Sequence, residues 1–226
     1  AAIALLVSAS GIRERKNVVQ TKGEPNPFKS FKLAFSNKPF IYLCVVYFVT
    51  NISFAFAKTL MAYFVEYQLL MKEMVSAVMG IMLVCVIISL PIWQKIAKKT
   101  DKGPAYAIGM GMGAVALALL FFLPHKSTWL IYPIVVLAGF GFGANWVFPW
   151  AMIADVSDFD RVKSGQFRSG IYYGVWGLAT KISEALALAV VGWVLTGFGY
   201  IANVEQTARA LLGIRLFFGI VPAICI

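Results

Sequence analysis

The chain has 226 residues, of which 60% are hydrophobic and only 13% charged, and its formal net charge is +10. Soluble domains carry about a quarter charged residues, so a chain this poor in polar side chains cannot cover itself with a water-facing surface. A soluble globular domain is excluded. Apolar blocks of this length read as helices crossing a bilayer, whose hydrocarbon core of about 30 Å takes ~20 residues at ~1.5 Å each. No water enters that core to bond the backbone, so helices are the default spanning element and the fold class is an all-α membrane protein.

Residues 1–10 read as the tail of a preceding transmembrane helix, and 11–39 as a cytoplasmic central loop broken by Gly23, Pro25 and Pro27. Within that loop, "NPFKSFKLAF" sets Phe28, Phe31 and Phe35 at helical spacing with Lys29 and Lys32 among them. This is the pattern of a short interfacial helix lying on an anionic leaflet, with a plain linker as the alternative. Residues 40–226 read as a six-helix bundle with spans Phe40 to Phe64, Val75 to Trp93, Pro104 to Leu123, Thr128 to Ala154 and Gly170 to Gly199. The sixth runs from about Ala208 to Ile226, truncated there. The sequence thus reads as a piece of a longer protein. The other connections are short, so consecutive helices are expected to be antiparallel neighbours.

The positive charge is a topology signal. Seven Lys/Arg lie between Arg13 and Lys38, four between Lys95 and Lys102 and three between Arg161 and Arg168, against Lys72, Lys126 and Arg209 in the alternate connections. That bias places the first set in the cytoplasm and leaves no case for a nucleic-acid partner; the partner surface is the lipid bilayer. Cys44, Cys85 and Cys225 fall within spans without CxxC spacing, which implies neither a disulfide framework nor a metal site. His125, the single histidine, sits in an external turn and reads as an interface residue.

"GMGMG" (Gly109 to Gly113) and "GFGFG" (Gly139 to Gly143) look like nucleotide loops but follow no strand. In apolar helices such residues let backbones approach closely. Asn51 opens an "NIS" acceptor triplet deep within a span, out of reach of glycosylation, and reads as an interhelical hydrogen-bonder that also adds polarity to a cavity. Lys58 lies about 27 Å along the first span, from where its ammonium can snorkel outward and meet Glu66. Arg215, in the last span, either snorkels or lines a cavity.

Lys181 and Glu184 are the only ionisable side chains, tyrosine aside, between Gly170 and Gly199. Lys181 lies about 16 Å into the span, where a lysine costs at least ~2.5 kcal/mol to insert. Gly170, Gly174, Gly177, Lys181, Ala185 and Leu188 recur on one stripe, which is expected to face the bundle or a watery cavity. Lys181 is either a ligand-facing cation or half of a self-contained pair with Glu184. In "GANWVFPWAMIAD", Trp146 is about 13 Å from the cytoplasmic end, at a depth similar to Lys181. Asn145 is adjacent, and Pro149 frees a backbone carbonyl four residues back. An aromatic face beside hydrogen-bonding groups suits sugar recognition; a core tryptophan is the alternative. "ADVSDFDRVKSGQFRSG" crowds Asp155, Asp158, Asp160, Arg161, Lys163 and Arg168 into what reads as a cytoplasmic loop, suited to ion pairs that close a gate.

"MIADVSDFDRVKSGQFRSG", then "TKISEAL", then "GYIANVEQTARALLGIRL" together resemble the glycoside–pentoside–hexuronide:cation symporter family of the major facilitator superfamily, over nearly the whole chain. The resemblance implies the C-terminal six-helix half of a twelve-helix transporter, with sugar and a coupling cation (Na+ or H+) carried by alternating access and no other cofactor. It implies that Lys181 is the family's helix-eleven lysine, and that Trp146, Gly177 and Thr180 face the sugar. Asp155, Asp158 and Arg168 fall on the family's cytoplasmic gate charges. The cation site and principal sugar-binding carboxylates are expected in the N-terminal half, the partner of this one, within a bacterial inner membrane. Departures are one extra residue between Asp158 and Arg168, and Pro149 in place of a glutamine. A membrane enzyme finds no nucleophile elbow or metal spacing here; a lipid or drug carrier, or a non-transporting sensor, on the same scaffold remain as alternatives.

Overall fold

A computed structural model describes residues 31–32, 34–126, 129–165 and 168–226; residues 1–30, including Phe28 and the tail at 1–10, lie outside the described residues. The chain forms α1 (Lys38–Tyr63), α2 (Val75–Thr100), α3 (Lys102–Phe121), α4 (Ile131–Ser164), α5 (Ser169–Gly197), α6 (Ala208–Arg215) and α7 (Val221–Cys225). A π-helical turn, Phe64–Gln68, extends α1, and another, Leu216–Ile220, joins α6 to α7 into a single rod. Among the described residues no strand occurs, and six rods are long and apolar enough to cross a membrane.

Local chemistry sets the ends. Pro39 sits in the first turn of α1, where its missing N–H is no loss. Thr207 caps α6 by accepting the Ala210 amide at 3.2 Å. Gly165, at φ +68°, terminates α4 in the left-handed conformation, its amide bonding Arg161 O at 2.9 Å. A single residue, Asp101, joins α2 to α3, at φ 70° and ψ 165°.

The expected cytoplasmic loop after Ala154 is corrected by this geometry. With 34 residues, α4 is about 51 Å long, well beyond the hydrocarbon thickness. Asp155, Asp158, Asp160, Arg161 and Lys163 therefore ride on its last turns, projecting past the apolar part of the rod. Arg161 and Lys163 complement the helix C-terminus there.

The closest packing falls in two groups, which the last rod bridges by packing on both α1 and α3. In the first, α4 packs against both α2 and α3 through its glycines. A Cβ on Gly139 would lie 2.6 Å from Cys85 Cβ of α2, and one on Gly143 would collide with Ser89 of the same helix. A Cβ on Gly141 would fall 2.5 Å from the Gly113 backbone nitrogen of α3. "GFGFG" thus presents alternate glycines to two neighbours, as close-approach residues should. In the second unit α5 packs on α1, not chiefly on its predecessor α4. Tyr47 stacks on Trp176 with ring centroids 4.0 Å apart, and Phe40 meets Tyr172 edge-on at 4.7 Å. The expectation that consecutive helices are neighbours therefore fails between α1 and α2 and is weak between α4 and α5. Interhelical fit, not connection length, decides.

At the end away from the basic connections, the GYIANVEQ segment folds on itself. Gly199 takes φ +78°, and Gln206 bonds the Ile201 carbonyl at 2.5 Å and the Val204 carbonyl at 2.8 Å. Tyr200 donates to the Tyr67 hydroxyl at 3.0 Å, and the Asn203 amide to the same oxygen at 3.3 Å. Arg215 is held at the end of α3. Its guanidinium donates to Phe121 O, the last residue of α3, and sits 5.1 Å from that residue's ring, a cation closing a helix C-terminus.

Candidate functional site

A cleft of about 600 Å³ opens between α1, α4 and α5, lined by Tyr47, Asn51, Phe54 and Lys58 of α1, Asn145, Trp146 and Trp150 of α4, and Thr180, Lys181 and Glu184 of α5, among others. Its size lies within the roughly 300–1,000 Å³ of small-molecule sites. Helical spacing explains the wall. Tyr47, Asn51, Phe54 and Lys58 follow steps of three and four along α1, Trp146 and Trp150 are one turn apart on α4, and Lys181, Glu184 and Leu188 follow the same rule on α5.

Hydrogen bonds orient the two amides. Asn51 Nδ2 donates to Ser183 Oγ at 2.6 Å, and Ser183 passes its own proton to Thr180 O at 2.8 Å. The Asn51 amide is thereby tied to α5 by its nitrogen, leaving its oxygen as an acceptor. This is the interhelical bond expected of Asn51. On the other side Tyr106 donates to Asn145 Oδ1 at 2.9 Å. The Thr50 hydroxyl lies 3.0 Å from the Tyr106 oxygen and donates to the Val46 and Tyr47 carbonyls of its own helix, at 3.0 and 3.1 Å. Asn145 keeps its NH2 as a donor. The cavity thus presents an amide acceptor from α1 and an amide donor from α4.

Lys181 Nζ lies 3.0 Å from Glu184 Oε2, yet the lysine side chain is 78% exposed and both residues line the cleft. The pair with Glu184 exists, and it lines the cavity. An ammonium bonded once to a carboxylate has two further N–H groups to give. Trp146 is half exposed, and Trp150 beside it stacks with Tyr173 and meets Trp176 edge-on. Gly177 does not line the cleft, and a Cβ there would meet nothing within 4 Å. The stripe through Gly170, Gly174, Gly177 and Ala185 is open within these residues rather than packed on a neighbour.

Sequence reasoning missed Tyr47, Trp150 and Lys58 as cavity residues. The signal was the spacing of Tyr47, Asn51 and Lys58 on one helix face. Lys58 does not meet Glu66, which pairs with Lys72 at 3.1 Å. Glu66 lies eight residues on, about 12 Å along the helix, inside the π turn Phe64–Gln68.

At the basic end, the pairings differ from those expected. Asp155 is held by Lys102 of α3, at 2.6 and 2.7 Å, and Arg168 lies 3.8 Å from Asp160, both largely buried. Asp158 and Arg161 are exposed on α4. Lys102 was not singled out in the sequence, being hidden among four basic residues of one connection. Among the described residues no group of three or more His, Cys, Asp or Glu could hold a metal ion.

Six membrane-length helices around a polar, aromatic-walled cleft define this class of protein: a six-helix unit of a helical membrane transporter. The MFS/sugar transport protein family pattern matches residues 1–226, and the chain belongs to that family. It is 30% identical over 207 residues to a Salmonella typhimurium protein provisionally named a sulfoquinovose importer, covering 91% of this chain and 44% of that protein. It is 29% identical over 202 residues to an uncharacterized symporter of Synechocystis, covering 86% of this chain and 37% of that one. A sodium-dependent lysophosphatidylcholine symporter of Danio rerio is 25% identical over 217 residues, 94% of this chain and 41% of the relative. The chain thus spans less than half the length of these curated relatives. Its family is one of transporters, not enzymes, and it is a multi-pass membrane protein.

Proposed function

We propose that the whole protein is a symporter that takes up sugars or glycosides with Na+ or H+ by alternating access, in a bacterial inner membrane, and that these residues form one wall of its sugar site. The observation that carries this reading is the cleft itself, which is lined by two tryptophans, an amide acceptor, an amide donor and an ammonium–carboxylate pair. A pyranose offers that surface its complement: C–H faces for Trp146 and Trp150, and hydroxyls that donate to Asn51 Oδ1 and accept from Asn145 Nδ2 and Lys181. Thr180 adds little directly, since its hydroxyl donates to Trp176 O at 2.9 Å; Gly177 leaves room beside it. The coupling cation is assigned to the other half of the transporter. Asp155–Lys102 and Asp160–Arg168 brace the basic end, and Asp158 and Arg161, exposed on the last turns of α4, stand where that other half would meet them when the gate closes.

A lipid on the same scaffold is the competing solute, favoured by the name of the Danio rerio relative. The test is uptake of labelled sugars by the full-length protein in liposomes under an imposed Na+ or pH gradient. Gradient-dependent accumulation is expected, and transport of lysolipid with no sugar uptake under either gradient would overturn the reading.

A further inference from the structure

We infer that Tyr106, a residue of α3 that does not itself line the cleft, sets how strongly the cleft discriminates one hydroxyl of its solute, by holding the Asn145 amide in a single orientation. The inference rests on the reading of this cleft as a sugar site and names a positioning residue for it. An asparagine amide has two ends of nearly the same shape and opposite hydrogen-bonding character. Turned one way it offers a solute its NH2, and turned the other way its oxygen. Only the bonds it makes to the protein decide between them. At Asn145 that bond comes from Tyr106, whose hydroxyl donates to Oδ1 at 2.9 Å. The NH2 is the end left for the solute.

Tyr106 is a fixed reference for that amide. It is buried, and Phe148 of α4 meets its ring edge-on at 6.4 Å. Thr50 Oγ1 of α1 lies 3.0 Å from its oxygen, so the phenol is held between α1 and α4. Beside it α3 and α4 approach closely: a Cβ on Gly109, three residues after Tyr106, would collide with Ala144, the neighbour of Asn145. The turn of α4 that carries Asn145 needs this hold, because Pro149 lacks the N–H that would bond the Asn145 carbonyl. Without the Tyr106 proton the Asn145 amide has no partner to fix it, and a solute hydroxyl must order it on binding. An amide ordered in advance binds that hydroxyl more tightly than one ordered by the solute.

The experiment measures binding by calorimetry to purified full-length protein, first with methyl glucoside, galactoside, mannoside and xyloside, then with each monodeoxy analogue of the tightest binder. Tyr106→Phe keeps the ring among its neighbours and should fold, which unfolding temperature verifies. It should weaken the parent glycoside about threefold to tenfold, the scale of one neutral hydrogen bond. One monodeoxy analogue, lacking the hydroxyl that Asn145 meets, should bind variant and wild type alike, while the others weaken as the parent does. In an Asn145→Ala background Tyr106→Phe should add no further loss, since two residues acting through one bond are not additive. The inference is overturned if Tyr106→Phe leaves the parent affinity unchanged, or weakens every analogue by the same factor, as a merely structural role would. Additive losses in the double variant overturn it too, and should Asn145→Ala not fold, the analogue series decides alone. Glycoside binding that Tyr106→Phe does not alter defeats this inference and leaves the sugar reading standing; binding of none of the four defeats both.

Discussion

Asn51 Nδ2 donates to Ser183 Oγ at 2.6 Å, joining α1 to α5 at the floor of the cleft. Both residues are buried. Ser183→Ala removes the acceptor and leaves a buried donor unmatched, which costs roughly 1–3 kcal/mol. Replacing both partners, Asn51→Leu with Ser183→Ala, should destabilise less and yet weaken sugar binding, because the cleft loses its amide acceptor. Thermal unfolding and calorimetry on the full-length variants separate these effects. Wild-type affinity in the double variant would remove Asn51 from the sugar site.

Lys181→Met keeps the side-chain stem but removes the donors and leaves Glu184 without its cation. If Lys181 meets substrate hydroxyls, losing bonds to a charged group of roughly 1.5–3 kcal/mol lowers sugar affinity about tenfold to over a hundredfold. Lys181→Arg should also impair binding, since a planar fork replaces a compact donor. Adding Glu184→Gln to Lys181→Met should not restore affinity. Recovery of wild-type binding in that double variant would reduce Lys181 to half of an ion pair.

Glycine substitutions along the same motifs should diverge. At Gly141 a methyl group meets the Gly113 backbone, which cannot turn aside, whereas at Gly111 it meets nothing within 4 Å. Gly141→Ala should therefore lose about 1–3 kcal/mol of stability from overpacking, seen as a fall in folded yield and unfolding temperature. Gly111→Ala should be neutral or gain up to about 1 kcal/mol from helix propensity. Equal effects would mean that α3 and α4 do not touch where Gly141 places them.

Topology follows from the basic connections. Single cysteines at positions 99 and 126, in a cysteine-free background of intact cells, should differ: an impermeant maleimide should label 126 and not 99. The reverse pattern would invert the assignment of the cytoplasmic side.

Composition and hydropathy were enough to place the six spans to within a few residues at most ends, because helix is the only way for so apolar a backbone to satisfy itself. That Trp146 and Lys181 share a wall was legible too, since both fall at similar heights along their helices and both line the cleft. Direction around the helix was not. Lys58 was assigned to the wrong partner, because Glu66, eight residues on, is held by Lys72. The end of α4 was misread for a related reason: the charges of Asp155 to Lys163 signal water, and water accommodates an exposed helix as readily as a loop. Gly165 was the true stop signal. The order of helix packing was hidden as well, since it depends on which glycines face which neighbour.

The division of the bundle into two packing units carries a mechanical consequence. Within α2, α3 and α4, backbones touch through glycine, so sliding any one of them means forcing main chain against main chain. Between α4 and the α1–α5 pair the contacts are sparse, and they are made across a cleft by side chains that can change rotamer. Stiffness is therefore concentrated in one slab and compliance along one seam. The cleft lies on that seam, and the last rod, packed on both α1 and α3, ties its two sides together, so the cleft can open only as a hinge about that rod.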